Sequence, residues 1–254
     1  MGNGKRRTEN GTPKGSPTEW EVKLRTFLVL VLLALALSSF AQSERSTDLG
    51  GIVGMDYSAE IWNNLELKVE EELRFENYGG LHLDRWLNEL SLEAPMMIPG
   101  LGNRLHIGCL LGYVRHYDDH GYFDNRFRYG VDLSYRESLR RLKLVYRTRL
   151  MCTYRDERTG DYSVNPKWYW RNKLQASYQM PNSRYKYGLS MEFFCRLRKD
   201  ASEVFVDHIR TTVSVDYRLT RRQSLSLTAR MDNEIQVKKP MDHFYLGLTY
   251  HFKN

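Results

Sequence analysis

A serine hydroxyl attacks an ester only with a base beside it, and on a β-strand such a pair sits on one face as His-x-Ser. The chain has seven histidines, and none is followed two positions later by serine: His106 meets Gly108, His208 meets Arg210 and His243 meets Tyr245. His120-Gly121 lies near Asn125-Arg126, with no serine to complete a set. The histidines offer no i, i+4 pair on a helix, and no carboxylate cluster has the spacing of a zinc site. His116 and His120 flank Asp118 and Asp119, where a divalent metal is conceivable, but polar loops are ordinarily just solvated. Three cysteines, Cys109, Cys152 and Cys195, are odd in number and scattered, which makes neither a disulfide framework nor a metal cluster. The residues therefore lead to no catalytic group, no metal and no cofactor.

The charged residues are more informative. Glu66, Glu70, Glu72, Glu89 and Glu93 fall on one parity with Lys68, Arg74 and Arg85. Further along, Arg126, Arg128, Lys143, Arg147, Arg149, Arg171 and Lys173 share a parity with few acids. If these rows face the inside of a barrel, one wall is acidic and another basic. Rings of Arg and Lys favour anions, so a charged pore is one reading. The other is a small barrel closed by ion pairs, because bore grows with strand number and pairing offsets the cost of a buried charge.

The elements that would position them are strands. Tyr185, Tyr187, Leu189, Met191, Phe193, Cys195 and Leu197 alternate with Lys186, Gly188, Ser190, Glu192, Phe194, Arg196 and Arg198. A helix would scatter those charges through its apolar stripe, whereas a strand sorts them. The same sorting predicts strands over 48–61, 65–75, 83–94, 104–117, 126–135, 142–155, 168–180, 185–198, 205–218, 223–237 and 242–252. Tight turns are expected near Asn63-Asn64, Arg136–Arg140, Pro181-Asn182-Ser183 and Leu219–Arg222, and longer polar connections at Asp118–Asp124 and Asp156–Lys167. Short turns alternating with long loops describe an antiparallel up-and-down transmembrane β-barrel. Eleven strands are readable, but single-chain bacterial barrels have even numbers. The expectation is therefore 12 strands, with 10 as the alternative, the missing one near Gly50-Gly51. The turn at Asn63-Asn64 then falls on the side where an outer loop should lie.

The 254 residues carry a net charge of +7, 17 tyrosines and a mean hydropathy of −0.58. That excludes a bundle of membrane helices but not a barrel that turns every second residue inward. Lys23 and Arg25 precede eleven apolar residues from Phe27 to Leu37, followed by Ser39 and Ala41 at the −3 and −1 positions of a cleavage before Gln42. The pattern is a secretory signal, too short to span a bilayer. The expected domains are a leader and signal peptide over 1–41, exported through the Sec pathway, and a barrel over 42–254. The leader holds six basic and three acidic side chains, leaving 32 and 28 and a net of +4 on the mature chain. A nucleic-acid partner needs a concentrated basic face, and none is expected.

Three features turn the apolar face toward lipid rather than inward as in a soluble barrel. The runs fit the ~9–11 tilted residues that cross a bilayer. The polar face is charged with both signs. Trp62, Trp86, Tyr117, Tyr154 and Trp168-Tyr169-Trp170 lie near strand ends, where an aromatic girdle would sit. The chain closes on Phe244, Leu246, Leu248, Tyr250 and Phe252 on one face, which resembles the signal read by the outer-membrane barrel assembly machinery.

Glu70-Glu71-Glu72-Leu73-Arg74-Phe75, Asp84-Arg85-Trp86, Tyr113-Val114-Arg115, Gly121-Tyr122-Phe123-Asp124-Asn125-Arg126, Arg147-Thr148-Arg149-Leu150, Tyr154-Arg155, Arg171-Asn172-Lys173-Leu174 and Leu246-Gly247-Leu248-Thr249-Tyr250 follow one another in an order that resembles the domain of unknown function 2490 family, exported and mainly Bacteroidota proteins. The likeness covers most of 48–252; the long leader and the Pro95–Pro99 connection depart from it, both expected outside strands. It implies an outer-membrane barrel in a Gram-negative cell and no established activity. The functional expectation is a non-enzymatic outer-membrane barrel, plugged or narrow-pored. Its partners would be outer-membrane lipids and lipopolysaccharide, with the assembly machinery during insertion. A lipid-modifying hydrolase of the phospholipase or lipid A deacylase type and a secreted soluble binding barrel are the alternatives.

Overall fold

An alternating strand has one apolar and one polar row, and a set of them is stable only when each row meets a matching environment. In the computed structural model, which describes residues 46–77, 81–117, 123–156, 165–197, 204–235 and 240–254, the strands do this by closing on themselves. They are β1 (Ser46–Trp62), β2 (Leu65–Glu76), β3 (His82–Ile98), β4 (Gly102–Tyr117), β5 (Phe123–Leu139), β6 (Leu142–Arg155), β7 (Lys167–Gln179), β8 (Tyr185–Leu197), β9 (Val204–Arg218), β10 (Gln223–Glu234) and β11 (Met241–Lys253). Each pairs antiparallel with the next, and β1 pairs with β11 to close the barrel. The expected leader, 1–41, lies outside the described residues, as do Asp118, Asp119 and His120.

The eleven strands coincide with the eleven readable in the sequence. The expected 12, or 10, differ from them by one, and the reason is parity. In an up-and-down order an even count makes the first and last strands antiparallel, whereas an odd count makes them run the same way. Here β1 and β11 run parallel from Ser46↔Met241 to Ser58↔Lys253. The odd count also explains the turn at Asn63-Asn64. The tight connections and Asn254 share one end of the barrel, and the start of β1 lies at the other with the longer connections. Asn63 and Asn64 have φ of 43° and 65°, the paired left-handed backbone of a two-residue hairpin, which asparagine tolerates well.

Several boundaries move: β5 begins at Phe123 rather than 126, and β10 ends at Glu234 rather than 237. The turn expected at Arg136–Arg140 is Arg140-Arg141, so β5 runs on to Leu139 and pairs it with Leu142. Pro95 lies within β3, opposite His106, rather than in a connection. It sits beyond Glu93, the last β3 residue paired with β2. One side of β3 has no neighbour there, which is where a sheet tolerates proline.

The apolar row faces outward. Val53, Leu90, Leu111, Val131, Leu150, Leu174, Leu227 and Leu246 are all exposed, Leu111 by 62%, while the charged parity meets itself across the interior. The parallel seam gives a direct test of the strand count. Val53 and Leu248 are outward register partners, and adjacent strands lie about 4.8 Å apart, within disulfide reach. With the native cysteines replaced by serine, Val53→Cys/Leu248→Cys is expected to form an intramolecular disulfide under oxidation, seen as a gel shift reversed by reductant. Val53→Cys/Gly247→Cys, pointing to opposite faces, is expected to form none. An unlinked first pair would mean that β1 and β11 are not neighbours.

Candidate functional site: the charged lumen

Register sets like charges side by side. Arg149 on β6 is the direct partner of Arg171 on β7, Arg74 of Arg85, and Glu66 of Glu93. Such neighbours repel unless opposite charges reach them from elsewhere, and the lumen supplies these. The Arg149 guanidinium donates to Asp132 at 2.6 and 2.7 Å and to Glu89 on β3 at 3.0 Å. Arg171 and Arg147 converge on Glu192 of β8, at 3.0 and 3.2 Å. Arg74 bonds Glu72 at 2.7 Å, and Arg230 reaches Glu72 from β10 at 3.2 Å. Lys68 joins Glu93 at 3.0 Å and Glu66 at 3.7 Å, while Arg136 also holds Glu93. Arg210 forks onto Asp232, both bonds 2.7 Å. Arg85 pairs with Asp84 and Arg126 with Asp124.

Several of these bonds join strands that are not neighbours, so they cross the interior. Arg149–Glu89 passes over β4 and β5, Arg230–Glu72 over β11 and β1, and Arg136–Glu93 over β4. The path is cleared by glycine. Gly112 lies between Glu89 and Arg128 in register, and Gly108 between Glu93 and Asp132. A Cβ on Gly108 would come within 2.9 Å of the Leu92 carbonyl oxygen. Apolar side chains fill part of the remaining space: Leu110, Val114 and Phe194 are buried, and Phe194 lies under the guanidinium of Arg171 at 4.5 Å, a cation–π contact.

Not every charge is matched. Among the described residues, Arg128 and Lys173 have no carboxylate at ion-pair distance. Glu70 shares a register row with Asp56 and Glu89. Asp56 has His251 at 2.8 Å and Glu89 has Arg149, but Glu70 has no ion pair and is exposed although it faces inward. The middle of the lumen therefore has room for water beside Glu70. Of the site residues read from the sequence, Glu66, Glu72, Arg74, Arg85, Glu89, Arg126, Arg147, Arg149 and Arg171 belong to the ion-pair network. Glu70, Arg128 and Lys173 line the space it leaves. Asp132, Arg136, Glu192, Arg210, Arg230 and Asp232 were not singled out, although their parity within β5, β8, β9 and β10 places them on the same face.

The outer surface carries two aromatic belts. Trp86, Tyr154, Trp168 and Trp170 lie toward the longer connections, while Tyr57, Trp62, Tyr146, Tyr185, Tyr187 and Phe252 lie toward the tight turns. Polar groups on this face are clasped by ring donors: Trp86 Nε1 donates to Glu71 at 2.9 Å, Trp170 Nε1 to Thr148 at 2.7 Å and the Tyr146 hydroxyl to Asn172 at 2.9 Å. Leu246 and Leu248 are exposed between the belts, and Phe252 stacks on Tyr57 across the seam, centroids 5.8 Å apart. Cys152 also lies on the outer parity but is buried between its partners Tyr129 and Trp168. All three cysteines are free thiols. His116 lies within β4, its Nε2 3.2 Å from Asp84.

A family model described as "Protein of unknown function (DUF2490)" matches residues 54–239. No curated protein matches the chain.

Proposed function

The chain belongs to the DUF2490 family, and from that premise we propose that it is a non-enzymatic barrel of the outer membrane whose lumen is held nearly shut by ion pairs. The observation that carries this is the Arg149 guanidinium, bonded at once to β5 and β3 across the interior. Eight strands leave a bore that side chains fill and sixteen leave an aqueous channel. Eleven strands whose interior is crossed by ion pairs between non-neighbouring strands stand nearer the first case. The location is supported by the outward apolar band of 12- to 17-residue strands between two aromatic belts, the arrangement of a membrane barrel. A soluble barrel would place that band inside. Five histidines, His106, His116, His208, His243 and His251, face carboxylates rather than a serine hydroxyl, which favours a structural or accessory role over an acyl-transfer site.

The second reading, a narrow pore, is favoured by the space left beside the unpaired Glu70. Planar-bilayer recording of the refolded protein separates the two: the expected result is no resolved single-channel steps, and reproducible steps from the wild type would establish the pore. Membrane fractionation with heat-modifiable gel migration tests the location, and a soluble product without a heat shift would sink both readings.

A further inference from the structure

The lumen pairs most of its buried carboxylates with arginine: Asp84 with Arg85, Glu89 with Arg149, Asp124 with Arg126, Glu192 with Arg171 and Asp232 with Arg210. At the closing seam this rule fails. Asp48, third residue of β1, is 8% exposed, and neither it nor Glu76, last residue of β2, has a lysine or arginine within ion-pair distance among the described residues. What faces them is His243 of β11, the register partner of Asp48. Its Nδ1 is 3.9 Å from an oxygen of each carboxylate, too far for a hydrogen bond. That nitrogen is buried and has no hydrogen-bond partner.

A buried carboxylate beside a half-buried one, with no cation between them, is costly, and an imidazole nitrogen buried without a partner adds to that cost. One ligand resolves both. We propose that Asp48, Glu76 and His243 bind a divalent cation of the zinc type, which clasps β1, β2 and β11 across the barrel's only parallel pair among the described strands. One ligand atom from each residue lies within 4.8 Å of the other two. Zinc bonds nitrogen and carboxylate oxygen at about 2.0–2.2 Å, which sets neighbouring ligands about 3.4 Å apart in a tetrahedron, so each side chain moves by less than an ångström. An imidazole beside two carboxylates suits zinc over the all-oxygen shell that calcium or magnesium takes. An outer partner is in place, since the Tyr245 hydroxyl donates to Glu76 Oε1 at 2.7 Å and fixes the carboxylate as second-sphere groups do. The position is also where a clasp has most to do, because parallel pairing is slightly weaker per residue than antiparallel and a barrel with an open seam exposes two strand edges.

Zinc chloride titrated calorimetrically into the chelator-treated, refolded chain in detergent micelles tests this. One site is expected. His243→Ala and Glu76→Gln should each weaken it by more than the about 10–100-fold typical of losing an outer-shell partner. His251→Ala, whose ring faces Asp56 toward the other end of β11, should leave it unchanged. Chelator should also lower the temperature of the gel-mobility shift in the wild type and not in Glu76→Gln, and Asp48→Asn replaces any variant that does not refold. Absence of zinc binding, zinc binding unaltered by Glu76→Gln and Asp48→Asn, or calcium bound more tightly than zinc would each overturn the proposal.

Discussion

Arg149→Met is expected to destabilise the barrel by about 3–5 kcal/mol, the cost of breaking a buried ion pair by removing one partner. The guanidinium is 5% exposed and its acceptor Glu89 7%, so solvent screens little of the loss. The substitution removes three charge-assisted bonds, and it leaves Asp132 and Glu89 facing one another with no cation between them. Most of the penalty then belongs to the stranded acids rather than to the missing arginine. Arg149→Met/Glu89→Leu/Asp132→Asn should for that reason recover most of it. Urea unfolding in lipid vesicles, followed by tryptophan fluorescence, reads both variants. A loss below 1 kcal/mol for the single variant would mean that the lumen is wet enough to hydrate the two carboxylates.

The same residue tests whether the ion pairs close the lumen. Arg149 is the tie between β6, β5 and β3, and the intervening inward positions of β4 and β5 include Gly108, Gly112 and Gly130, which have no side chain to take its place. Arg149→Ala is expected to produce current steps that the wild type lacks. A silent Arg149→Ala would mean that the interior is closed by its apolar filling, Leu110, Val114 and Phe194, rather than by the ion pairs.

The strands were legible because their physics is local. Alternation at Leu65–Phe75 or Tyr185–Leu197 needs no knowledge of the partner strand, and all eleven elements and their outward rows can be read from it. The count was not legible in the same way: nothing within Ser46–Trp62 announces that its neighbour is Met241–Lys253, nor that the two run parallel. For the site, parity places Glu89 and Arg149 on the inner face. Their bond links positions 60 residues apart, and it depends on Gly108 and Gly112, which a hydropathy pattern registers only as weak polar positions. The Asp48–Glu76–His243 group was invisible for the same reason, since three distant segments meet only when the barrel closes. Pro95 misled because proline ordinarily ends a strand, and its tolerance depends on where β2 begins.

Gly50→Val is expected to open the seam, whereas Gly51→Val, one residue on, is expected to be nearly neutral. The two glycines are adjacent on β1 but point to opposite faces. A Cβ on Gly51 meets nothing, while one on Gly50 would collide with the Phe75 carbonyl oxygen of β2 and come within 2.6 Å of ring carbons of Tyr245 on β11. A flexible side chain could yield, but the first obstacle is backbone in a hydrogen-bonded ladder. The second is a phenol that is 3% exposed, capped by Arg74 at 4.8 Å and tied to Glu76. Overpacking of this kind costs about 1–3 kcal/mol, more where nothing can move, and here both strands flanking β1 are pushed away at once. The loss should appear as a lowered urea midpoint, with part of the Gly50→Val protein failing to show the compact, heat-modifiable band. The aromatic ring explains why the cost falls on the seam in particular. Tyr245 lies across Gly50 with its hydroxyl on β2, so one side chain spans β11, β1 and β2, and removing the hollow at Gly50 removes its seat. Equal midpoints for Gly50→Val and Gly51→Val would show that the seam is not packed in this way.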